Sequence, residues 1–337
     1  MKAIGIKESL PIDHKNSFIE AEVDKPVPAG HDLLVRIHAV SVNPVDCKVR
    51  KSSAKDKVLE TPKILGYDAA GVVEAVGEEV TLFEVGDAVF YAGDIKRSGS
   101  NAEYQLVDER IVGKKPKNLS DEAAAAMPLT SLTAWEAIFD RLHVAQDGGQ
   151  GQTLLIIGGA GGVGSIAIQL AKQLTQLTVI ATASRPESTQ WCLDRGADLV
   201  ANHHNLLTSV QDLGYSSVDY ILNFADTNLH WEATSELIKP QGHICSIVEN
   251  DKPLEMKVIR SKSVSFTWEL MFTRSMYQTD DMVAQHHILN NIADLLDNKT
   301  IQSSLTTTLE GLTVENFKKA HAMQESGKSI GKTVIKF

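Results

Sequence analysis

"TLLIIGGAGGVGSIAIQLAKQL", residues 153–174, sets a short apolar run against a glycine cluster and then an apolar-periodic segment. The pattern predicts a buried strand, a turn and a helix in immediate succession. Gly159, Gly161 and Gly164 stand in G-x-G-x-x-G register within that frame. Gly159 is expected to make the tight turn. Gly161, Gly162 and Val163 are expected to bring the backbone up to a pyrophosphate at the positive end of the helix, and Gly164 to let helix and strand pack closely. A glycine-rich turn without a ligand is the plain alternative; the order strand, turn, helix weighs against it. An NAD site would place an acid about 20 residues beyond the glycines to hold the ribose 2′-hydroxyl. Here the next strand, "LTVIATAS" (177–184), runs into Ser184 and Arg185, with no acid before Glu187. A carboxylate would repel a 2′-phosphate, whereas a hydroxyl and a guanidinium bind it with charge-assisted hydrogen bonds, so the pattern predicts NADPH rather than NADH. Arg185 as a solvated loop charge is the alternative.

Outward from this turn, strands and helices alternate. "PESTQWCLDRG" reads as a helix, "ADLVAN" as a strand, and "VDYILNF" (218–224) and "HICSIV" (243–248) as further strands. Such interleaving predicts a parallel, doubly wound sheet. Phe224 and Ile247 then fall at the ends of its fourth and fifth strands, where such sheets bind ligands; core packing is the other reading. Before residue 120 the pattern differs. "LLVRIHAVSV" (33–42), "GVVEAVGEEV" (71–80), "GDAVFYAG" (86–93) and "AEYQLVD" (102–108) are strand-like runs punctuated by glycine and proline, which predicts an antiparallel β domain. Ser120 is expected to cap a helical stretch that follows, and the composition shift sets a boundary near 126. The chain beyond 270 closes on the strand "GKTVIKF" and is too short for a domain, so it is expected to complete the first one. The expected domains are therefore 1–126 with 271–337, and 127–270.

The chain has 337 residues, 43% of them hydrophobic, which suits two domains of ordinary size. A net charge of −10 argues against a nucleic-acid partner, which demands a basic surface. No uncharged apolar run reaches the ~18 residues of a membrane span, and the start of the chain has no apolar signal region. Cys47, Cys192 and Cys245 form no CxxC pair and read as buried thiols in a reducing compartment. A cytoplasmic protein is expected. His203–His204 and His286–His287 are the paired histidines; adjacent side chains diverge, so both pairs are read as surface or capping residues rather than metal ligands.

"SVNPVD" (41–46), "GYDAAGVV" (66–73), "MPLTSLTAWEA" (127–137) and "GGAGGVG" (158–164) resemble the medium-chain dehydrogenase/reductase superfamily, most nearly its zinc-free quinone oxidoreductase branch. "ELMFTRSMYQTDDM" (269–282) is similar to a bacterial subgroup often named zinc-type alcohol dehydrogenase-like proteins. The resemblance implies an α/β protein with a GroES-like β-rich catalytic domain built from both chain ends, a Rossmann domain between them, an active-site cleft where the two meet, and a homodimer formed through the Rossmann sheet edge. Zinc members hold a catalytic metal with a cysteine, a histidine and a second cysteine. Matching the motifs puts Asn43, Tyr67 and Leu129 at those positions, and the stretch matching the four-cysteine lobe, "YAGDIKRSGSNAEY" (91–104), has no cysteine. The resemblance therefore implies chemistry without zinc.

Oxidation of a simple alcohol needs its O–H proton removed, which zinc assists by stabilising the alkoxide. Reduction of a quinone or an α,β-unsaturated carbonyl asks less: a hydride from NADPH, an oriented acceptor and a donor for the developing oxygen anion. Tyr67 is the candidate donor, with solvent as the alternative source of the proton. Asn43 is expected to face the nicotinamide or substrate and Asp46 to fix the loop, although asparagine before proline also starts turns and aspartate also caps helices. Thr133 matches a family threonine that packs on the nicotinamide. Lys332 is expected to reach the pyrophosphate, and Phe272 and Tyr277 to form a lid over the acceptor. A zinc-dependent alcohol dehydrogenase and a non-catalytic, crystallin-like nucleotide-binding protein are the competing readings.

Overall fold

The structure, a computed structural model, describes residues 1–337. Two compact units divide the chain, one of residues 1–132 and 272–337 and one of residues 133–271. The first passage falls inside the helix Pro128–Trp135, not ahead of it at 126.

The first unit begins with strands Lys2–Ile6 (β1), Ile19–Glu22 (β2), Asp32–Ser41 (β3), Lys63–Ile64 (β4), Asp68–Val76 (β5), Ala88–Tyr91 (β6), Tyr104–Asp108 (β7) and Val112–Lys114 (β8). The second unit contributes Thr153–Ile157 (β9), Thr178–Thr182 (β10), Leu199–Ala201 (β11), Val218–Asn223 (β12), Ile238–Ser246 (β13) and Ser265–Trp268 (β14). The chain returns to the first unit with Leu305–Glu310 (β15) and Lys332–Lys336 (β16).

In the first unit the long, inward-alternating β3 is the hub. It pairs antiparallel with β5, β7 and β16 in a sheet of order β15-β16-β3-β5-β6-β8. Leu33, Val35, Ile37 and Val40 of β3 are buried in the core with Phe18 and Phe317. One part of this unit departs from the antiparallel expectation. β15 and β16 run parallel, joined through the helix Val314–Glu325, because a crossover that carries a helix returns the chain in the same direction. Two registers then matter for the site. Ser41 lies opposite Asp68 across β3 and β5, and Val334 lies opposite Ser41 across β16 and β3. Ser120 accepts from the Ala123 N–H and caps the helix Asp121–Ala125.

All strands of the second unit are parallel, in the order β11-β10-β9-β12-β13-β14. Every residue of β9 is buried, as a central parallel strand covered on both faces requires. The strand order reverses beside β9, between β10 and β12, and the carboxyl ends of the strands on either side open a crevice there. β14 is an edge strand, bonded only to β13, and Trp268 and the following Leu270 are exposed beside it. The histidines are not all at the surface. His286 is buried, its Nδ1 2.7 Å from the Val112 carbonyl and its Nε2 accepting from Asn290 Nδ2 at 2.9 Å, because its helix Ala284–Asp297 turns that side toward the first unit's core. No helix is long and apolar enough to cross a membrane.

Candidate active site

β9 is followed by Gly158, which holds φ at +88° and therefore makes the sharp turn that the sequence assigned to Gly159. Gly159 is needed for a different reason. A Cβ there would lie 2.8 Å from Ala181 Cβ and 3.0 Å from Cys192 Sγ, so the residue is a packing contact between turn, strand and helix. A Cβ at Gly164 would stand 2.3 Å from Gly158 O, so only glycine lets the helix Gly162–Leu174 start this close to β9. Thr182 at the end of β10 holds the turn, its Oγ1 accepting from Gly158 N–H at 3.0 Å and its carbonyl from Gly159 N–H at 3.1 Å.

The helix N-terminus opens onto space. No side chain caps Gly161, and a Cβ at that position would meet only Gly158 O, at 3.5 Å. Unsatisfied N–H groups, a positive helix end and room above the turn are what a pyrophosphate needs, so the donor set fits a dinucleotide. Gly162 and Val163, in the first turn, are half-buried. Phe224 follows β12, its N–H donating to Ile157 O at 3.0 Å, and Ile247 follows β13. Both are half-buried at the carboxyl edge. Ser184 and Arg185 follow β10 and are also half-buried; Arg185 precedes the helix Pro186–Asp194, and its backbone N–H donates to Ser188 Oγ at 3.2 Å. Thr133 is buried at the start of the second unit.

In the first unit the predicted residues gather around an acid that sequence reasoning passed over. Asp68 is fully buried, and four donors converge on its carboxylate: Ser41 Oγ at 2.8 Å, Asn43 Nδ2 at 2.7 Å, the Leu129 N–H at 2.7 Å and Lys332 Nζ at 3.2 Å. Lys332 also donates to the Val42 carbonyl at 3.1 Å and to Asn43 Oδ1. Its ammonium is thus consumed inside this unit and does not reach for a pyrophosphate, because the register of β16 against β3 carries it inward. Desolvation lowers its proton affinity while the Asp68 charge raises it. The Asn43 amide faces Asp68 and Lys332, with the residue 1% exposed, and so does not present itself to a nicotinamide or a substrate.

Asp46 closes the turn, its Oδ2 accepting from the Asn43 N–H at 2.7 Å. Its Oδ1 is buried without a partner. Burial pushes this carboxyl up to about 7, opposed by the Asn43 hydrogen bond and the Lys332 charge and aided by Asp68. Tyr67, next to Asp68, lays its ring edge-on to Phe272 with centroids 5.1 Å apart. Burial, then the Asp46 and Asp94 charges, hold its phenol protonated well above the usual range. Phe272 is 2% exposed and is core under Tyr67, not a lid, whereas Tyr277 is exposed. The Cys47 thiol lies 3.4 Å from His321 Nδ1, and burial pushes it up to about 12, which makes it a packing residue rather than a reactive thiolate.

The side chains at the catalytic-metal positions do not fit zinc. An amide, a phenol and an alkyl chain stand at Asn43, Tyr67 and Leu129, and nowhere do three His, Cys, Asp or Glu side chains converge to hold a metal ion. The stretch 91–104 is instead tied by Arg97, bidentate to Asp32 at 2.6 and 2.8 Å.

A dinucleotide-type turn on a doubly wound sheet, inserted into a β-rich unit completed by both chain ends, defines a class of nucleotide-dependent oxidoreductases. A family model described as alcohol dehydrogenase GroES-like domain matches residues 29–117, and one described as zinc-binding dehydrogenase matches 195–335. A zinc-type alcohol dehydrogenase-like protein of Staphylococcus epidermidis is 44% identical over 99% of both chains. A crystal structure of a Rhizobium etli protein assigned as a zinc-dependent alcohol dehydrogenase is 49% identical, covers 100% of this chain and 98% of its own, and superposes with a TM-score of 0.95. A quinone oxidoreductase of Pongo abelii is 34% identical over 63% of each chain. The chain belongs to the medium-chain dehydrogenase/reductase superfamily and is one of its oxidoreductases.

Two buried charged clusters escaped sequence reasoning. Asp68 stood inside "GYDAAGVV", a charge at the head of an otherwise apolar strand, and that mismatch was the available signal. In the second unit, Glu136 and Glu269 form a buried carboxyl pair beside Arg141, whose Nε is 2.7 Å from Glu269 Oε2. Burial, then the neighbouring Glu136 charge, raises the Glu269 pKa. Glu136 opens a π-helical segment, Glu136–Arg141, which no local pattern announced.

Proposed function

We propose that this protein is an NADPH-dependent reductase that delivers hydride to a quinone or an α,β-unsaturated carbonyl without zinc. The observation that carries the reading is the replacement of all three metal-ligand positions around an internal Lys332–Asp68 pair. With no Lewis acid to stabilise an alkoxide, an acceptor that is already electrophilic suits the site best. The nicotinamide would supply the hydride. The N-terminus of the helix Gly162–Leu174 receives the pyrophosphate, Ser184 and Arg185 take the 2′-phosphate, and Thr133, Phe224 and Ile247 position the nicotinamide end. The protonated Tyr67 phenol donates to the oxygen anion that develops on the acceptor, while Asp46 and Asn43 keep the 41–46 turn in place. The likeness to a quinone oxidoreductase supports the acceptor class. The unpaired edge of β14, with Trp268 and Leu270 exposed, supports a homodimer.

The test is NADPH oxidation with a panel of quinones and enals. Turnover that survives chelation is expected. Tight NADPH binding with no turnover of any acceptor would defeat the enzyme reading, and a requirement for about one zinc per chain would defeat the zinc-free one.

A further inference from the structure

β10 and β11 end side by side, Thr182 opposite Ala201, with the Ala183 N–H donating to Ala201 O at 3.0 Å. Just beyond one strand stand Ser184 and Arg185; just beyond the other stand His203 and His204, in a short turn Asn202 caps through its side chain. The His203 and His204 rings lie 4.5 Å apart, and His203 meets His230 of the helix Thr227–Leu237 edge-on at 6.5 Å. Three imidazoles therefore gather beyond the end of β11, next to the strand end that carries Arg185.

The charges around His203 come from every side. Desolvation first, then His204 and then Arg185 keep its proton affinity below the ordinary value. His230 is held down by desolvation and by His203 and His204, with the Asp226 carboxylate opposing. The sole carboxylate in this set is Asp226, at the exposed N-cap of the His230 helix, where it accepts from the Leu229 N–H. In the free protein His203 and His230 are thus biased toward the neutral imidazole. A phosphate dianion brought between Arg185 and the rings would reverse the balance and favour the imidazolium.

We propose that His203 completes the 2′-phosphate subsite with Arg185 and takes up a proton when the phosphate arrives, so that NADPH, but not NADH, is bound more tightly as pH falls. The proposal rests on the NADPH reading given above and adds its pH linkage and a second recognition residue. Because binding and proton uptake are linked, the protons taken up on binding set the slope of affinity against pH.

Isothermal titration of the full-length protein with NADPH and with NADH between pH 6 and 8.5, in buffers of different ionisation enthalpy, tests it. The 2′-phosphate's own second ionisation, near about 6, is common to wild type and variants, so the difference between them isolates the ring. Relative to His203→Gln, wild type is expected to gain roughly tenfold in NADPH affinity between pH 8.5 and 6, with proton uptake that the variant lacks, and no such gain for NADH. His203→Lys, charged at every pH, should keep tight NADPH binding and lose the wild-type pH dependence. Equal pH slopes in wild type and His203→Gln, with NADPH still preferred, would overturn the role of His203 and leave the cofactor reading standing. NADPH bound no better than NADH at any pH would overturn both.

Discussion

Lys332→Met asks whether one internal ammonium holds the 41–46 turn, the head of β5 and the start of the helix Pro128–Trp135 together. Lys332 Nζ and Asp68 Oδ2 are 3.2 Å apart, with side-chain exposures of 4% and 0%. At that separation and an effective dielectric constant of about 20, their attraction is about 5 kcal/mol, much of it offset by desolvation of both groups. Removing the ammonium alone leaves a buried carboxylate and frees two acceptors, the Val42 carbonyl and Asn43 Oδ1. Breaking a buried pair from one side costs about 3–5 kcal/mol. Ser41, Asn43 and the Leu129 N–H still solvate Asp68, so the lower half of that range is expected. For a unit of this size the loss corresponds to roughly 6–16 °C in Tm. Denaturation followed by circular dichroism at pH 7 measures it. The double variant Lys332→Met/Asp68→Asn removes both charges and should recover at least about 2 kcal/mol of the loss. A single variant within about 1 kcal/mol of wild type, or a double variant as unstable as the sum of the singles, would refute the reasoning.

Asp46 and His321 make opposite contributions to pH stability. With its carboxyl raised to about 7, folded Asp46 keeps a proton that the unfolded chain has lost, so its stabilisation is full below about 4 and fades as pH rises through 7. His321, pushed down to about 3 by burial and then by Arg50 and Lys51, binds its proton only in the unfolded chain, and stability is lost as pH falls from about 6.5. Asp46→Asn should therefore expose a steeper acid loss between about pH 4 and 6.5 in urea titrations; a stability profile parallel to wild type would contradict it. Gly164→Ala forces a Cβ to within 2.3 Å of Gly158 O and should lower NADPH affinity at least tenfold in titration calorimetry, since helix and turn must separate. Tyr67→Phe should cut kcat by about 10–100-fold with KM for NADPH unchanged and stability nearly kept, whereas unchanged steady-state turnover would assign the proton to solvent. Extended dialysis against a chelator should change neither activity nor the unfolding transition; a fall in either, restored by zinc, would contradict the zinc-free reading.

How much of this was legible in the sequence depended on distance along the chain. The strand, turn and helix at 153–174 are local, and the doubly wound sheet follows from their repetition. Local reading placed the sharp turn one residue late, at Gly159, because the glycine that holds positive φ and the glycine that must be small for packing are neighbours with different tasks. Lys332 was assigned to the pyrophosphate although it stands in the expected closing strand "GKTVIKF"; it opens β16 on the same face as buried Val334, and alternation alone marks it as inward. Its partners, Asp68 and Asn43, lie 264 and 289 residues away, joined by strand registers that no single stretch encodes. His286 was read as a surface or capping residue for a similar reason: its partner is a carbonyl 174 residues distant.

The Glu136–Arg141–Glu269 cluster bears on how such a chain could be assembled and cut. Residues 133–271 are one uninterrupted insertion, and the acids that Arg141 bridges, at 3.7 and 2.7 Å, stand just inside its two ends. The insertion thus carries its own clasp: entry and exit are drawn together by side chains belonging wholly to the module. A segment built that way keeps this tie however its two ends are joined to the rest of the chain.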